Sequence, residues 1–101
     1  MTRVSVAKVG DLAAGTGRVV DAGGRTLALF NVGGSYYAID NDCIHRGGPL
    51  GDGELEGRIV SCPWHAWRWD VTTGANANNP AIRVPCFPVT VEHDDIYVEL
   101  P

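Results

Sequence analysis

Short apolar stretches separated by glycine, proline and polar turns run along most of the chain. β-Branched and aromatic residues are frequent in these stretches, which is typical of an all-β domain. The predicted strands lie near 3–9, 17–21, 25–32, 35–40, 57–61, 67–71 and 88–99, the last broken by a turn. No segment keeps an apolar period of 3.6 residues over three turns, so we expect no substantial helix.

Several turns between these strands can be read directly. Gly33-Gly34 stands between two apolar runs and predicts a β-hairpin. A polar turn is expected within EHDDIYV, 92–98, and it divides the final stretch into two strands. Prolines at 80, 85 and 88 confine the region between them to loops or sheet edges, because proline cannot donate a ladder hydrogen bond.

Composition narrows the classes of function. A length of 101 residues fits one domain, 1–101. The formal net charge is −4 and no basic stripe is present, so we expect no nucleic-acid partner and favour partners with basic faces. The first ten residues, MTRVSVAKVG, show no signal peptide, and no apolar run is long enough for a membrane span. We therefore expect a cytoplasmic protein.

Cysteine and histidine are concentrated in two short loops. Cys43 and His45 lie in CIHRGGPL, and Cys62 and His65 lie in CPWH, each loop following a predicted strand. Three cysteines make a poor disulfide framework, because one is always left over. Two thiols and two imidazoles at such spacing instead predict a metal site between the loops.

The metal is the open question at this stage. A Cys₂His₂ set is a common structural zinc site, but zinc fingers usually pair cysteine with cysteine and place the histidines on a helix. Here each loop supplies one residue of each kind. A Rieske [2Fe–2S] centre explains that mixture better, since one of its irons takes two cysteines and the other takes two histidines. Zinc remains a remote alternative.

The pattern C-x-H-x16-C-x2-H, with CPWH as its second half, closely resembles that of the Rieske iron–sulfur proteins. The resemblance covers most of the chain. It implies an antiparallel β-sandwich with a small cluster-binding subdomain built from two hairpin loops, about 43–50 and 62–67. It also implies that Cys43 and Cys62 bind the inner iron, and that His45 and His65 bind the outer iron.

Departures from the high-potential Rieske proteins of bc complexes indicate a different subclass. Those proteins carry an additional cysteine in each loop, forming a disulfide that this chain cannot make. They also place hydroxyl side chains two and four residues after the last histidine, where this chain has Trp67 and Trp69. Fewer donors to the cluster disfavour its reduced state, so the chain resembles a low-potential Rieske ferredoxin.

The resemblance leaves two functions open. The first is a one-electron carrier that takes electrons from a flavin-containing NAD(P)H reductase and passes them to a terminal oxygenase. The second is the small Rieske subunit of an NAD(P)H-dependent nitrite reductase. Oxygenase activity by this chain is not expected, because only His93 remains for the separate mononuclear iron site that such enzymes need. We favour the carrier, which is not itself an enzyme.

Other residues have plainer interpretations. Cys86 is expected to be a buried thiol that packs as a small apolar group. Trp67 and Trp69 are expected to pack in the core below the cluster, whereas Trp64 either shields the cluster or contacts a partner. Gly47, Gly48 and Gly51 either permit turns or bring their backbone close to sulfide, and we favour the second. The acidic residues Asp52, Glu54 and Glu56 are expected to lie on a solvated loop, which is also a possible docking rim for a basic partner. His93 is expected to be a solvated turn residue.

Overall fold

The computed structural model describes residues 2–42, 48–64 and 67–100. In this part of the chain the regular structure consists of ten strands and two 3-10 turns. The strands are β1 Thr2–Lys8, β2 Gly17–Ala22, β3 Arg25–Val32, β4 Ser35–Asp40, β5 Glu54–Glu56, β6 Ile59–Ser61, β7 Arg68–Asp70, β8 Cys86–Phe87, β9 Val89–Glu92 and β10 Asp95–Leu100. The 3-10 turns are Val9–Asp11 and Leu50–Asp52.

The strands form three antiparallel sheets. The first has the order β1-β10-β9, the second has the order β2-β3-β4-β8, and the third has the order β5-β6-β7. The β1-β10 pairing joins the two ends of the chain, whereas the third sheet is built entirely from residues between 54 and 70. The all-β class and the antiparallel arrangement expected from the sequence are confirmed.

Strand β3 lies at the centre of the molecule because both of its faces are buried. Leu27 and Leu29 pack into one apolar cluster together with residues of β10, such as Ile96. Ala28 and Phe30 point to the opposite face and pack into a second cluster with residues of β6 and β7. Alternate residues of a strand face opposite sides, so the continuous apolar run TLALF serves two cores at once. The second core underlies the two Cys/His loops.

One strand prediction needs correction, and two short strands were not predicted. The segment 57–61 is not one strand, because Gly57 adopts a φ of 62° in a tight turn and the strand begins only at Ile59. The residues before that turn form β5, which pairs with β6 and was interpreted as a loop. The short β8 was also missed, although it lies at a sheet edge, as the flanking prolines at 85 and 88 require.

The predicted turns are confirmed. Gly33 and Gly34 have φ values of 59° and 97°, as expected for the hairpin that joins β3 to β4. His93 is exposed at the turn between β9 and β10, with a φ of 56°. Among the described residues, no helix is long and apolar enough to cross a membrane.

Candidate metal centre

The four predicted ligands differ in how far the structure describes them. Cys62 is described, and its side chain is buried at the end of β6 with 2% of its surface exposed. Cys43, His45 and His65 lie outside the described residues. The site is therefore built here from Cys62 and from the described residues at the base of each loop.

The first loop is closed at its base by backbone contacts. Asp42 and Pro49 form an isolated antiparallel β-bridge on either side of 43–48. The neighbouring Asn41, which is buried, strengthens this closure in two ways. Its backbone oxygen accepts a hydrogen bond from the Leu50 N–H at 2.8 Å, and its side-chain Oδ1 accepts one from the Gly51 N–H at 2.8 Å. These contacts fix the positions of the two residues that flank the loop, Asp42 and Pro49.

The second loop is closed in the same manner. The Cys62 N–H donates to the Trp67 backbone oxygen at 2.7 Å, which continues the β6-β7 pairing by one step beyond Ser61 and Arg68. Because the backbone of Cys62 is part of the ladder, the direction of its side chain is fixed by the sheet.

The two loops meet at Gly48. A Cβ atom placed on Gly48 would lie 2.6 Å from the Cys62 sulfur and 3.2 Å from Cγ of Trp64. Real Cβ atoms do not approach other atoms so closely, so only glycine fits between the loops here. The backbone of Gly48 lies close to the Cys62 sulfur, and its expected approach to sulfide stays a prediction. Gly51 serves a different purpose, because a Cβ there would lie 2.8 Å from the backbone of Arg18 and Val19 in β2.

One side of Cys62 packs against an apolar cluster. Its cluster includes Leu50, Val60 and the fully buried Trp69, and Trp67 packs against the same cluster from a half-buried position. The rings of Trp67 and Trp69 lie 6.2 Å apart, centroid to centroid. Core packing of both tryptophans below the loop is confirmed. A metal ion bound at this sulfur would provide the positive partner that a charged ligand requires beside an apolar core.

Trp69 carries a feature that the sequence gives no sign of. Its indole nitrogen Nε1 is buried and has no hydrogen-bond partner, which is true of no other buried side-chain polar atom in the described part of the chain. Buried donors in proteins are nearly always satisfied. The residue type and its apolar neighbours can be read from the sequence, but the missing partner depends on the packing of β6 against β7.

An open pocket of about 440 Å³ lies on the outer side of Cys62. Its lining includes Cys62, Trp64 and the two exposed acidic residues Asp52 and Glu54. Trp64 is 58% exposed, an unusually large exposure for a tryptophan. This surface combines a large aromatic ring and negative charge immediately beside the buried cysteine.

The expectation of a buried Cys86 was wrong. Cys86 is exposed at the edge strand β8, and its Sγ lies 3.9 Å from the Thr72 backbone oxygen, to which the thiol donates a weak hydrogen bond. Desolvation, the main cause, raises the pKa of the thiol above its ordinary value, so the sulfur itself is partly covered. Cys86 lies on the edge strand next to β4, and its thiol is neutral. It therefore serves as a control for substitutions of the buried Cys62.

The chain is similar to several known proteins. The chain is 40% identical over 78 residues to the ferredoxin component of the naphthalene 1,2-dioxygenase system of Pseudomonas putida, covering 76% of this chain and 75% of the relative. It is 37% identical over 103 residues to the 3-phenylpropionate/cinnamic acid dioxygenase ferredoxin subunit of Escherichia coli strain K12, covering 100% and 96%. A chain from the complex of reduced oxygenase and oxidized ferredoxin in carbazole 1,9a-dioxygenase superposes with a TM-score of 0.87 at 33% identity, covering 95% and 91%.

The fold is that of an all-β domain with a buried cysteine at the meeting point of two loops. The profile of the Rieske [2Fe–2S] domain matches residues 2–88, and the chain belongs to this family. Its cofactor is a Rieske-type [2Fe–2S] cluster, which sets the zinc alternative aside. The described residues fit such a group, because Gly48 leaves room beside the Cys62 sulfur and Trp69 offers an unused donor.

Proposed function

We propose that this protein is a dissociable one-electron carrier, the ferredoxin component of a ring-hydroxylating dioxygenase system. It takes electrons from a flavin-containing NAD(P)H reductase and delivers them to a terminal oxygenase. The observation that carries the proposal is the likeness, over 95% of this chain, to a chain of the complex of oxygenase and ferredoxin. The proposal places the carrier in the cytoplasm, where thiols stay reduced.

We propose Cys43 and Cys62 as ligands of the inner iron, and His45 and His65 as ligands of the outer iron. The cluster supplies the ability to accept and release one electron. Support for this ligand set comes from Cys62, whose sulfur is buried at the meeting point of the two loops. The polypeptide contributes a dry apolar floor and two hydrogen-bonded loop bases that hold the ligands in place.

We propose that the surface formed by Trp64, Asp52 and Glu54, here called the Trp64 surface, receives the oxygenase. Trp64 offers a large aromatic contact, and aromatic residues are enriched at the centres of interfaces. The two carboxylates, which form no ion pair with any described residue, favour a basic patch on the partner. Because the surface borders the pocket wall that contains Cys62, docking there brings the acceptor close to the site.

A charge-removal experiment tests this docking surface. The double variant Asp52→Asn, Glu54→Gln is expected to slow electron transfer to the oxygenase about 3- to 10-fold at low ionic strength, because it removes electrostatic attraction. The difference is expected to vanish near 1 M salt, where the Debye length is about 3 Å. Stopped-flow absorbance after mixing the reduced ferredoxin with the oxygenase components of the naphthalene and carbazole systems measures the rate of electron transfer.

The matched control removes two carboxylates elsewhere. Asp21→Asn, Asp94→Asn changes the net charge by the same amount at two exposed residues, one in β2 and one in the turn between β9 and β10. If this control slows transfer as much as the first variant, the net charge of the protein matters and the Trp64 surface is not the docking site.

Size-exclusion chromatography of the native extract distinguishes the carrier from the permanent subunit. A dissociable ferredoxin is expected to elute near its own mass of 10.8 kDa. Elution in a stable complex with a much larger nitrite-reductase chain would contradict the carrier proposal and favour the alternative function.

A further inference from the structure

The indole N–H of Trp69 is a buried hydrogen-bond donor without an acceptor among the described residues. The residue is fully buried, yet its indole N–H donates to nothing in the described part of the chain. A buried donor without an acceptor is destabilising, and phenylalanine would fill a similar volume without that cost. A tryptophan at this position therefore points to an acceptor that is not one of the described protein atoms.

The strand register places the indole beside the site. Trp69 pairs with Val60 across the β6-β7 ladder, and Cys62 lies two residues beyond Val60 on the same face. Diagonal neighbours of this kind lie within reach of aromatic side chains. All three side chains belong to the same buried cluster, so the indole ring and the Cys62 sulfur share one apolar compartment.

The chemistry of the compartment identifies the acceptor. When the cluster is bound, its inorganic sulfides and cysteine thiolates are the electron-rich atoms introduced there, and hydrogen bonds to the sulfurs help to set cluster potentials. We infer that the Trp69 indole N–H donates a hydrogen bond to a sulfur of the [2Fe–2S] centre. The inference rests on the proposed ligand set, to which it adds a positioning residue that tunes the potential.

This hydrogen bond changes one expectation drawn from the sequence. Trp67 and Trp69 stand where high-potential relatives have hydroxyl side chains. From the sequence, neither tryptophan was expected to donate a hydrogen bond to the cluster. With the inferred bond, Trp69 supplies one neutral N–H donor, which stabilises the more negative reduced cluster. The potential should then lie above that of a variant without the donor, even in a low-potential protein.

The first test compares two conservative variants of the cluster-loaded protein. Trp69→Phe keeps an aromatic ring but loses the N–H, so its reduction potential is expected to shift to a lower value. Trp67→Phe makes the same change on the same face at a half-buried position, and its shift is expected to be smaller. Redox titration followed by visible absorbance measures both shifts. An unchanged or raised potential in Trp69→Phe would overturn the inference.

The second test needs no loading of the Trp69 variant. In protein labelled with ¹⁵N at the indole nitrogens, pulsed electron–nuclear double resonance of the reduced cluster is expected to show one coupled indole ¹⁵N with an exchangeable proton. The coupling should survive in Trp67→Phe and Trp64→Phe, which leaves Trp69 as its source. A Rieske signal without indole coupling would overturn the inference alone, whereas absence of a Rieske signal from the wild type would overturn the cluster site as well.

Discussion

Replacing Cys62 by alanine is expected to abolish the cluster, whereas the same change at Cys86 is expected to leave it in place. Cys62 is buried at the meeting point of the two loops, and Cys86 is exposed on an edge strand. Loss of one thiolate ligand should reduce bound iron to less than about a tenth of the wild-type amount, because metal binding and folding of the loops are coupled. Iron and acid-labile sulfide analysis of the freshly purified proteins measures the outcome.

The pair of variants shows whether the loss of the cluster depends on which cysteine sulfur is removed. Both substitutions remove one sulfur atom from the same small chain, and only their positions differ. Thermal unfolding should show a clear loss of stability for Cys62→Ala and little change for Cys86→Ala, because exposed positions tolerate substitution. Full cluster content in Cys62→Ala, or its loss in Cys86→Ala, would contradict the proposed ligand set.

The substitution Gly48→Ala, which adds one methyl group, is expected to have the second largest effect on cluster content and stability. In Gly48→Ala the new Cβ would lie 2.6 Å from the Cys62 sulfur, so one loop must move away from the other. We expect cluster content to fall to less than about half, and the free energy of unfolding to fall by about 1–3 kcal/mol, the usual cost of overpacking. Iron analysis and denaturant unfolding of the purified protein measure both quantities.

Gly10→Ala provides the control for Gly48→Ala. A Cβ at Gly10 meets no atom within 4 Å, and no positive φ complicates the substitution at either position. Gly10→Ala should therefore retain the cluster and change stability by less than about 0.5 kcal/mol, as is usual for surface positions. Equal cluster content in the two variants would show that the loops do not need the close approach at Gly48.

The sequence predicts features that depend on local chemistry. The Gly33-Gly34 hairpin is an example, because two residues with positive φ are required between apolar strands. The two Cys/His loops are another, since the spacing of ligand types is itself the signal. The continuous apolar run of β3 indicated a strand, although only the assembled sheets explain why both of its faces are apolar.

Features that depend on packing could not be predicted. The segment Glu54–Glu56 reads as an acidic loop, and it becomes a strand because β6 offers it a pairing edge. Cys86 has apolar neighbours in sequence but lies at the sheet edge, where its side chain is exposed. The unpartnered N–H of Trp69 arises from the meeting of two strands and a loop, and no local pattern encodes it.

The electron paramagnetic resonance spectrum of the dithionite-reduced protein, together with metal analysis, tests the central claim most directly. The account predicts a red-brown protein with about two irons and two acid-labile sulfides per chain, and a rhombic signal of a Rieske centre with two histidine ligands after reduction. Stoichiometric zinc in a colourless, freshly prepared protein would contradict it. So would the signal of a [2Fe–2S] cluster with four cysteine ligands.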